Sequence, residues 1–303
     1  MVKNYLLLAS IGVIWGSQFV FQERALADLP PMLVSTGRAV MALVFVLLLC
    51  RLLKLNDKPK YSWKIYHLVG FLEASLPFIF LAWGQQYLKT AEVAILMGST
   101  PFFAIMLSPF IVAGARIHLM GLLSVLVGFA GLLVLFAPQI EAGLNIGLAG
   151  AVAILSAAGC FAVAVLILKR LSDEHPLMLA RNIMGAAALQ LVVMSLIWLP
   201  FNERPMHFNA VSIGCIVFIG MTASGLGYFL FAMLTRSAGP VFASLSNYLV
   251  PLVGVLVATV FNGENIAATT WVALFTIMAA IGINQMTTIR QLLKRPKKTA
   301  GAA

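Results

Sequence analysis

The chain has 303 residues, of which 61% are apolar and only 10% charged, with 20 Lys and Arg against 10 Asp and Glu and a mean hydropathy of +1.00. This composition excludes a soluble globular domain, and the links between the apolar stretches are too short to hold one. The basic surplus crowds beside span ends, from Arg51 to Lys64 and from Arg290 to Lys298, which marks a topology signal of the positive-inside kind and not a nucleic-acid footprint.

Ten stretches of roughly 17 to 25 mostly apolar residues are each long enough to cross a hydrocarbon core of about 30 Å as a helix. They are predicted at about Asn4 to Gln22, Met32 to Leu53, Trp63 to Gln86, Ala91 to Ala113, Leu119 to Phe136, Ile146 to Leu168, Leu177 to Leu199, Asn209 to Leu234, Val241 to Phe261 and Thr270 to Thr288. Lys3 and the small residues Ala25-Leu26-Ala27 suggest a signal peptide, but the run from Tyr5 to Phe21 is longer than a usual signal core and Glu23 and Arg24 precede the cut. Counting charges on alternate sides places about 15 Lys and Arg with the two termini and about 3 opposite, with Arg38 and Arg181 inside spans. The expected location is a bacterial-type inner membrane, multi-pass, with both termini cytoplasmic.

The halves resemble each other. Setting Pro31 against Pro176 brings Asp28 onto Asp173 and Arg24 onto Lys169, and setting Pro101 against Pro251 aligns the fourth span with the ninth. Each half therefore holds five spans, and because five is odd the second copy enters the membrane from the opposite side. The expected fold class is an all-α integral membrane protein, with ten transmembrane helices as two inverted five-helix repeats. The first repeat covers 1–137, a short periplasmic link 138–145, the second repeat 146–288 and a basic cytoplasmic tail 289–303. Inverted repeats are a recurring plan of alternating-access carriers, with the substrate site near the bilayer midplane.

Particular residues carry a resemblance. They are Val13-Ile14-Trp15-Gly16-Ser17 in the first span, Pro30-Pro31 leading to Arg38, Ala91-Glu92 running to Pro101, and Gly128 and Gly131 in the fifth. Gly227-Tyr228, Pro251, Gly263-Glu264 and Gly282 recur in the second half. In this order they resemble the drug/metabolite transporter superfamily of the EamA type over nearly the whole chain. The resemblance implies a ten-helix carrier of small organic solutes, often an exporter of amino acids or related metabolites. One departure stands out: the acid that commonly follows glycine at the end of the fourth span is Ala115 here, whereas Glu264 is present in the second half.

Arg38 lies seven residues after Pro31, about 10 Å into the second span. Burying it costs about 2.5 to 3.5 kcal/mol on translocon-type scales, so it needs a partner, a cavity or the interface. It is either a structural arginine or a guanidinium fork for a substrate carboxylate. Glu73, near the middle of the third span, is neutral, paired with Arg38, or a proton or cation site. The matching positions of the other half hold Ile183 and Ala223, so these charges break the repeat.

Trp15, Gln18 and Gln22 share one face of the first helix at i, i+3 and i+7, where lipid offers the amides no partner. Gly12 and Gly16 suit close helix approach, as do Gly121, Gly128 and Gly131 in the fifth span. Tyr228, Asn247 and Tyr248 are the second-half candidates; Pro251 frees the carbonyl of Asn247, which suits either a polar ligand or a plain kink. Gln86, Glu92 and Asn284 fall near span ends, where solvation or packing accounts for them.

The leading expectation is a secondary transporter moving a small organic metabolite, an amino acid or similar zwitterion, outward. Import, or flipping of a lipid-linked group, uses the same fold. No GxxxxGK[ST] loop is present for ATP, so a gradient supplies the drive, and Glu73 allows proton coupling. No HExxH or CxxC spacing suggests a metal or other cofactor, and Cys50, Cys160 and Cys215 lie in apolar runs and suggest no disulfide framework. No catalytic residues are expected, since Arg38 and Glu73 have no histidine beside them, and no filter motif or ring of charges points to a channel. The expected partners are a small-molecule substrate and the lipid bilayer, with no nucleic acid; nothing in the sequence fixes the oligomeric state.

Overall fold

A computed structural model describes residues 2–294 apart from 56, 142–145, 172, 239 and 244. The basic tail from 295 onward, the link at 142–145 and the side chain of Asn284 therefore lie outside the described residues. Helices follow one another along the chain: α1 (Val2–Asp28), α2 (Pro31–Leu52), α3 (Trp63–Gln85), α4 (Thr90–Ile111), α5 (Leu119–Glu141), α6 (Ile146–Leu168), α7 (Pro176–Trp198), α8 (Ala210–Ala238), α9 (Ser246–Asn262) and α10 (Ala268–Lys294). The first eight are long and apolar enough to cross a membrane; α9 and the apolar part of α10, Ala268–Ile283, are shorter.

Local chemistry explains the ends. Pro31 and Pro176 open α2 and α7 at the first helical position, where a missing N–H costs nothing. The Ser62 and Asn209 side chains accept from Lys64 N and Ser212 N and so cap α3 and α8. Two departures from the predicted spans have physical causes. α1 runs six residues past Gln22 to Asp28, because Glu23 finds hydrogen-bond partners on neighbouring helices and does not need to leave the bundle. α4 is broken at Gly98 and Ser99, between Met97 and Thr100, since Pro101 lacks an N–H and crowds the carbonyl four residues back.

The chain alternates between two ends of the bundle, and contacts far apart in sequence group accordingly. At one end Asn4 meets Ser237, Arg170 meets the carbonyl of Ile111, and Lys60 meets that of Asp173. At the other, hereafter the Glu264 end, Asp28 accepts from Asn209 and Ser212, and Arg204 donates to the carbonyl of Leu26.

Packing obeys the exchange of halves. α2 lies on α7, α4 on α9 and α5 on α10; α1 packs on α8 and α9 as α6 packs on α3 and α4; α2 meets α8 as α7 meets α3. This is the contact pattern of two inverted five-helix repeats. Close approach depends on small residues: a Cβ placed on Gly16 would come within 2.6 Å of the Val253 Cβ, so α1 and α9 touch backbone to side chain. The glycine face of α5 likewise meets α4 through Phe102 and α10 through Thr276 and Ile277, all in the same chain.

The α4–α9 contact is uneven. α9 packs closely on Thr90–Met97, the part of α4 at the Glu264 end, and meets Thr100–Ile111 only sparsely. Val93, Ala94, Ile95 and Leu96 are fully buried, whereas in the second segment of α4 only Phe102 is. The two helices are closed at the Glu264 end and part toward the other.

Candidate functional site

Two stretches of π-helix interrupt the α-helical spans, Phe71–Ser75 in α3 and Ile219–Leu226 in α8. They occupy matching places: with Pro101 set against Pro251, Glu73 falls on Ala223. A π turn shifts the helical register and tends to mark functional sites. In α3 it is braced by α7, where Gln190 donates to the carbonyl of His67 at 2.9 Å and accepts from Ser75 Oγ at 2.7 Å. In α8 it is braced by α1, where Trp15 Nε1 donates to the carbonyl of Ala223 at 2.9 Å.

Between these stretches the charged candidates converge. Glu73 is 4% exposed and its Oε1 accepts from the Tyr228 hydroxyl at 2.6 Å, while its Oε2 has no hydrogen-bond partner. Trp15 packs edge-on against Tyr228, with ring centroids 5.6 Å apart, and against Phe231 at 5.4 Å. Arg38 is 5% exposed. It donates from Nε to Ser224 Oγ at 2.7 Å, from Nη1 to Gln22 Oε1 at 3.1 Å and from Nη2 to Gln18 Oε1 at 2.6 Å, and its Cζ lies 4.1 Å over the Phe78 ring.

All of these Arg38 partners are neutral. The direct Arg38–Glu73 ion pair that the sequence allows does not form; each charge takes its own partners, and Tyr228 lies within electrostatic range of both. The reason is supply: five guanidinium N–H groups meet two glutamine oxygens and a serine hydroxyl before they meet a carboxylate. Among the described residues a buried cation and a buried carboxyl oxygen are therefore left with no mutual bond.

From Arg38 a chain of hydrogen bonds runs to the Glu264 end. Gln22 Nε2 donates to Gln85 Oε1 at 2.9 Å; Gln85 Nε2 donates to the carbonyl of Phe19 at 2.7 Å and to Thr90 Oγ1 at 3.4 Å; Thr90 Oγ1 donates to Glu23 Oε2. Glu23 Oε2 also accepts from Asn262 at 2.5 Å. Glu264 accepts from Thr90 N at 2.9 Å and Ala91 N at 3.2 Å, capping α4 with a carboxylate.

Of the residues singled out in the sequence, Trp15, Gln18, Gln22, Arg38, Glu73 and Tyr228 come together. Asn247 is half-buried and makes no side-chain hydrogen bond to this group among the described residues. Tyr248 turns to the α4–α9–α10 packing, its hydroxyl beside Gly282. Ser224, Phe78, Gln85 and Glu23 were not anticipated. Gln86, assigned in the sequence to solvation or packing near a span end, is exposed, whereas its neighbour Gln85 is 3% exposed and bonded. The π turn between Glu73 and Gln85 displaces the face that an ideal 3.6-residue count would follow.

Comparison with known proteins places this geometry. The model of the EamA-like transporter family matches residues 2–137 and again residues 148–285, one copy in each half. Uncharacterized transporter YvbV of Bacillus subtilis is 24% identical over 92% of this chain and 90% of its own length. An uncharacterized transporter of Archaeoglobus fulgidus is 22% identical over 87% of this chain and 91% of its own. A crystal structure covering 96% of this chain superposes with a TM-score of 0.69 at 16% identity, which concerns the fold alone.

Proposed function

The chain belongs to the EamA-like transporter family, and from that premise we propose that it is a secondary carrier that moves a small zwitterion of amino-acid type by alternating access. The observation that carries the reading is Arg38: a buried guanidinium held only by neutral groups, with unused donors and no bond to a carboxylate among the described residues. A permanent cation in such a place is stabilised by an anionic ligand that brings its own charge. The unpartnered Oε2 of Glu73 is the complementary acceptor for an ammonium, and the Trp15 and Tyr228 rings beside it suit a cation's face-on approach. The substrate carboxylate then sits on Arg38 and its ammonium turns to Glu73.

The uneven α4–α9 packing supports alternating access, since one end of the contact is closed while the other parts. With no P-loop in the sequence, a gradient supplies the drive, and Glu73 is the group through which protons enter the cycle. The basic residues beside the span ends favour an orientation with both termini in the cytoplasm of a bacterial-type cell, and the favoured net direction is export across the inner membrane.

Counterflow in proteoliposomes, with each standard amino acid as the labelled solute, is the test. A carrier of this type shows saturable counterflow for at least one of them, and Arg38→Ala abolishes it in protein that purifies as a folded monodisperse species. Unsaturable flux, or counterflow that survives Arg38→Ala, overturns the reading.

A further inference from the structure

The hydrogen-bond chain leading away from Arg38 has a direction. Arg38 can only donate, and the Phe19 carbonyl can only accept, so the amides of Gln22 and Gln85 between them are fixed in orientation: Arg38 gives to Gln22, Gln22 to Gln85, Gln85 to Phe19 and Thr90, and Thr90 to Glu23. A cation heads the series and a carboxylate ends it. Every link is polarised the same way, which strengthens each through its neighbours. The series joins α2, α1, α3 and α4 and ends where Asn262 of α9 reaches the same Glu23 oxygen, at the closed end of the α4–α9 contact.

At the opposite end the matching residues differ. Ala115 follows Gly114 where Glu264 follows Gly263, and with Pro101 set against Pro251 Thr90 falls on Pro240, which has neither a hydroxyl nor an N–H.

We propose that this series is a latch holding the Glu264 end shut, and that Gln85 is the positioning residue through which the occupancy of Arg38 reaches it. A carboxylate taken up by Arg38 draws the guanidinium from Gln22 Oε1 and cancels the charge at the head of the series; the Gln22–Gln85 link loses the polarisation and the anchor that hold its orientation, and the Thr90–Glu23–Asn262 clasp loosens. This second step rests on the substrate reading above, whereas the latch itself does not.

The test uses the full chain, purified in detergent, with Cys50, Cys160 and Cys215 replaced by alanine and a reporter Ala91→Cys. Ala91 is 1% exposed behind the clasp. Its labelling by a maleimide reports opening of that end. Arg38→Met and Gln85→Met each raise the labelling rate about three- to tenfold, the cost of one hydrogen bond, and the double variant exceeds neither, because both cut one series. Asn182→Leu breaks a buried contact to Glu174 at the opposite end and leaves the rate at the parent value. Should Gln85→Met not fold, Gln22→Met cuts the adjacent link. Single variants that label at the parent rate, or effects that multiply in the double variant, overturn the latch. Acetate and glycine, as the smallest carboxylate and zwitterion, accelerate labelling of the parent and not of Gln85→Met. If they leave the parent unchanged while the variant pattern holds, the latch stands and the carboxylate role of Arg38 falls.

Discussion

Tyr228 donates its hydroxyl to Glu73 Oε1 at 2.6 Å across the boundary between the two repeats, and leaves Oε2 with no partner. One bond thus ties α8 of the second half to the π turn of α3 in the first, and orients a carboxyl group whose second oxygen is buried without a hydrogen-bond partner. Trp15 packs edge-on against the tyrosine ring, and its indole N–H is fixed on the Ala223 carbonyl, so the rings are set by a contact independent of Glu73.

Tyr228→Phe keeps that ring packing and removes the only hydrogen bond to the Glu73 carboxyl group among the described residues. Stranding a buried polar group costs about 1 to 3 kcal/mol, so the apparent melting temperature in detergent falls. Transport falls with it, because the carboxyl loses its orientation. A variant as stable and as active as the parent shows that the bond fixes nothing.

Arg38→Lys separates charge from geometry. A lysine keeps the cation but cannot reproduce a planar fork that reaches Ser224, Gln22 and Gln18 together. Counterflow is expected to stay lost in Arg38→Lys as in Arg38→Ala, while Glu73→Gln, which keeps the shape, weakens it and flattens its pH dependence. Restoration by lysine indicates that charge alone suffices.

Much of this arrangement was legible in the sequence. Span number, inverted repetition and the shared face of Trp15, Gln18 and Gln22 follow from apolar length, proline register and helical spacing, all local properties. Depth in adjacent spans allowed a direct pair of Arg38 with Glu73, but each takes neutral partners of its own, which residue depth does not reveal. What was not legible lies beyond ideal helices: the π turns shift register between Glu73 and Gln85, and Glu23 remains in α1 because of partners 67 and 239 positions away. Ser224 and Phe78 carry no unusual spacing, and they matter only because the fold brings them to Arg38.

Gly16→Leu tests the α1–α9 contact. Even a Cβ there would meet the Val253 Cβ at 2.6 Å and the Gly254 backbone N at 3.1 Å, so helices bearing Trp15 and Gln18 must move apart. Overpacking of this kind costs about 1 to 3 kcal/mol. Thermal unfolding in detergent should show the loss, with counterflow reduced as well because the site's aromatic wall shifts.

Single cysteines report the orientation in intact cells. With the native cysteines removed, one at Glu203 should react with an impermeant thiol reagent and one at Lys58 should not, because the charge of the basic link from Arg51 to Lys64 favours the cytoplasmic side. The reverse pattern inverts the proposed topology.

The two halves differ most usefully at Glu264. Gly114 and Gly263 both adopt left-handed backbone, with φ of 76° and 63°, so each half turns the chain in the same way after its fourth span. Only the second turn is followed by an acid, whose two oxygens accept from Thr90 N and Ala91 N and face the positive end of α4. Glu264→Ala is therefore expected to cost about 1 to 2 kcal/mol, the usual loss for a helix cap, and Glu264→Gln less, since one carbonyl oxygen remains to accept. Ala115→Glu should return little at the other end, because with Pro101 set against Pro251 the position matching Thr90 is Pro240, which offers no N–H, and only the one matching Ala91, Val241, has a donor. Unfolding temperatures of the three variants decide the matter: equal losses for alanine and glutamine show that the charge and not the acceptor holds α4, and a gain from Ala115→Glu shows that the two ends are closed by the same chemistry after all.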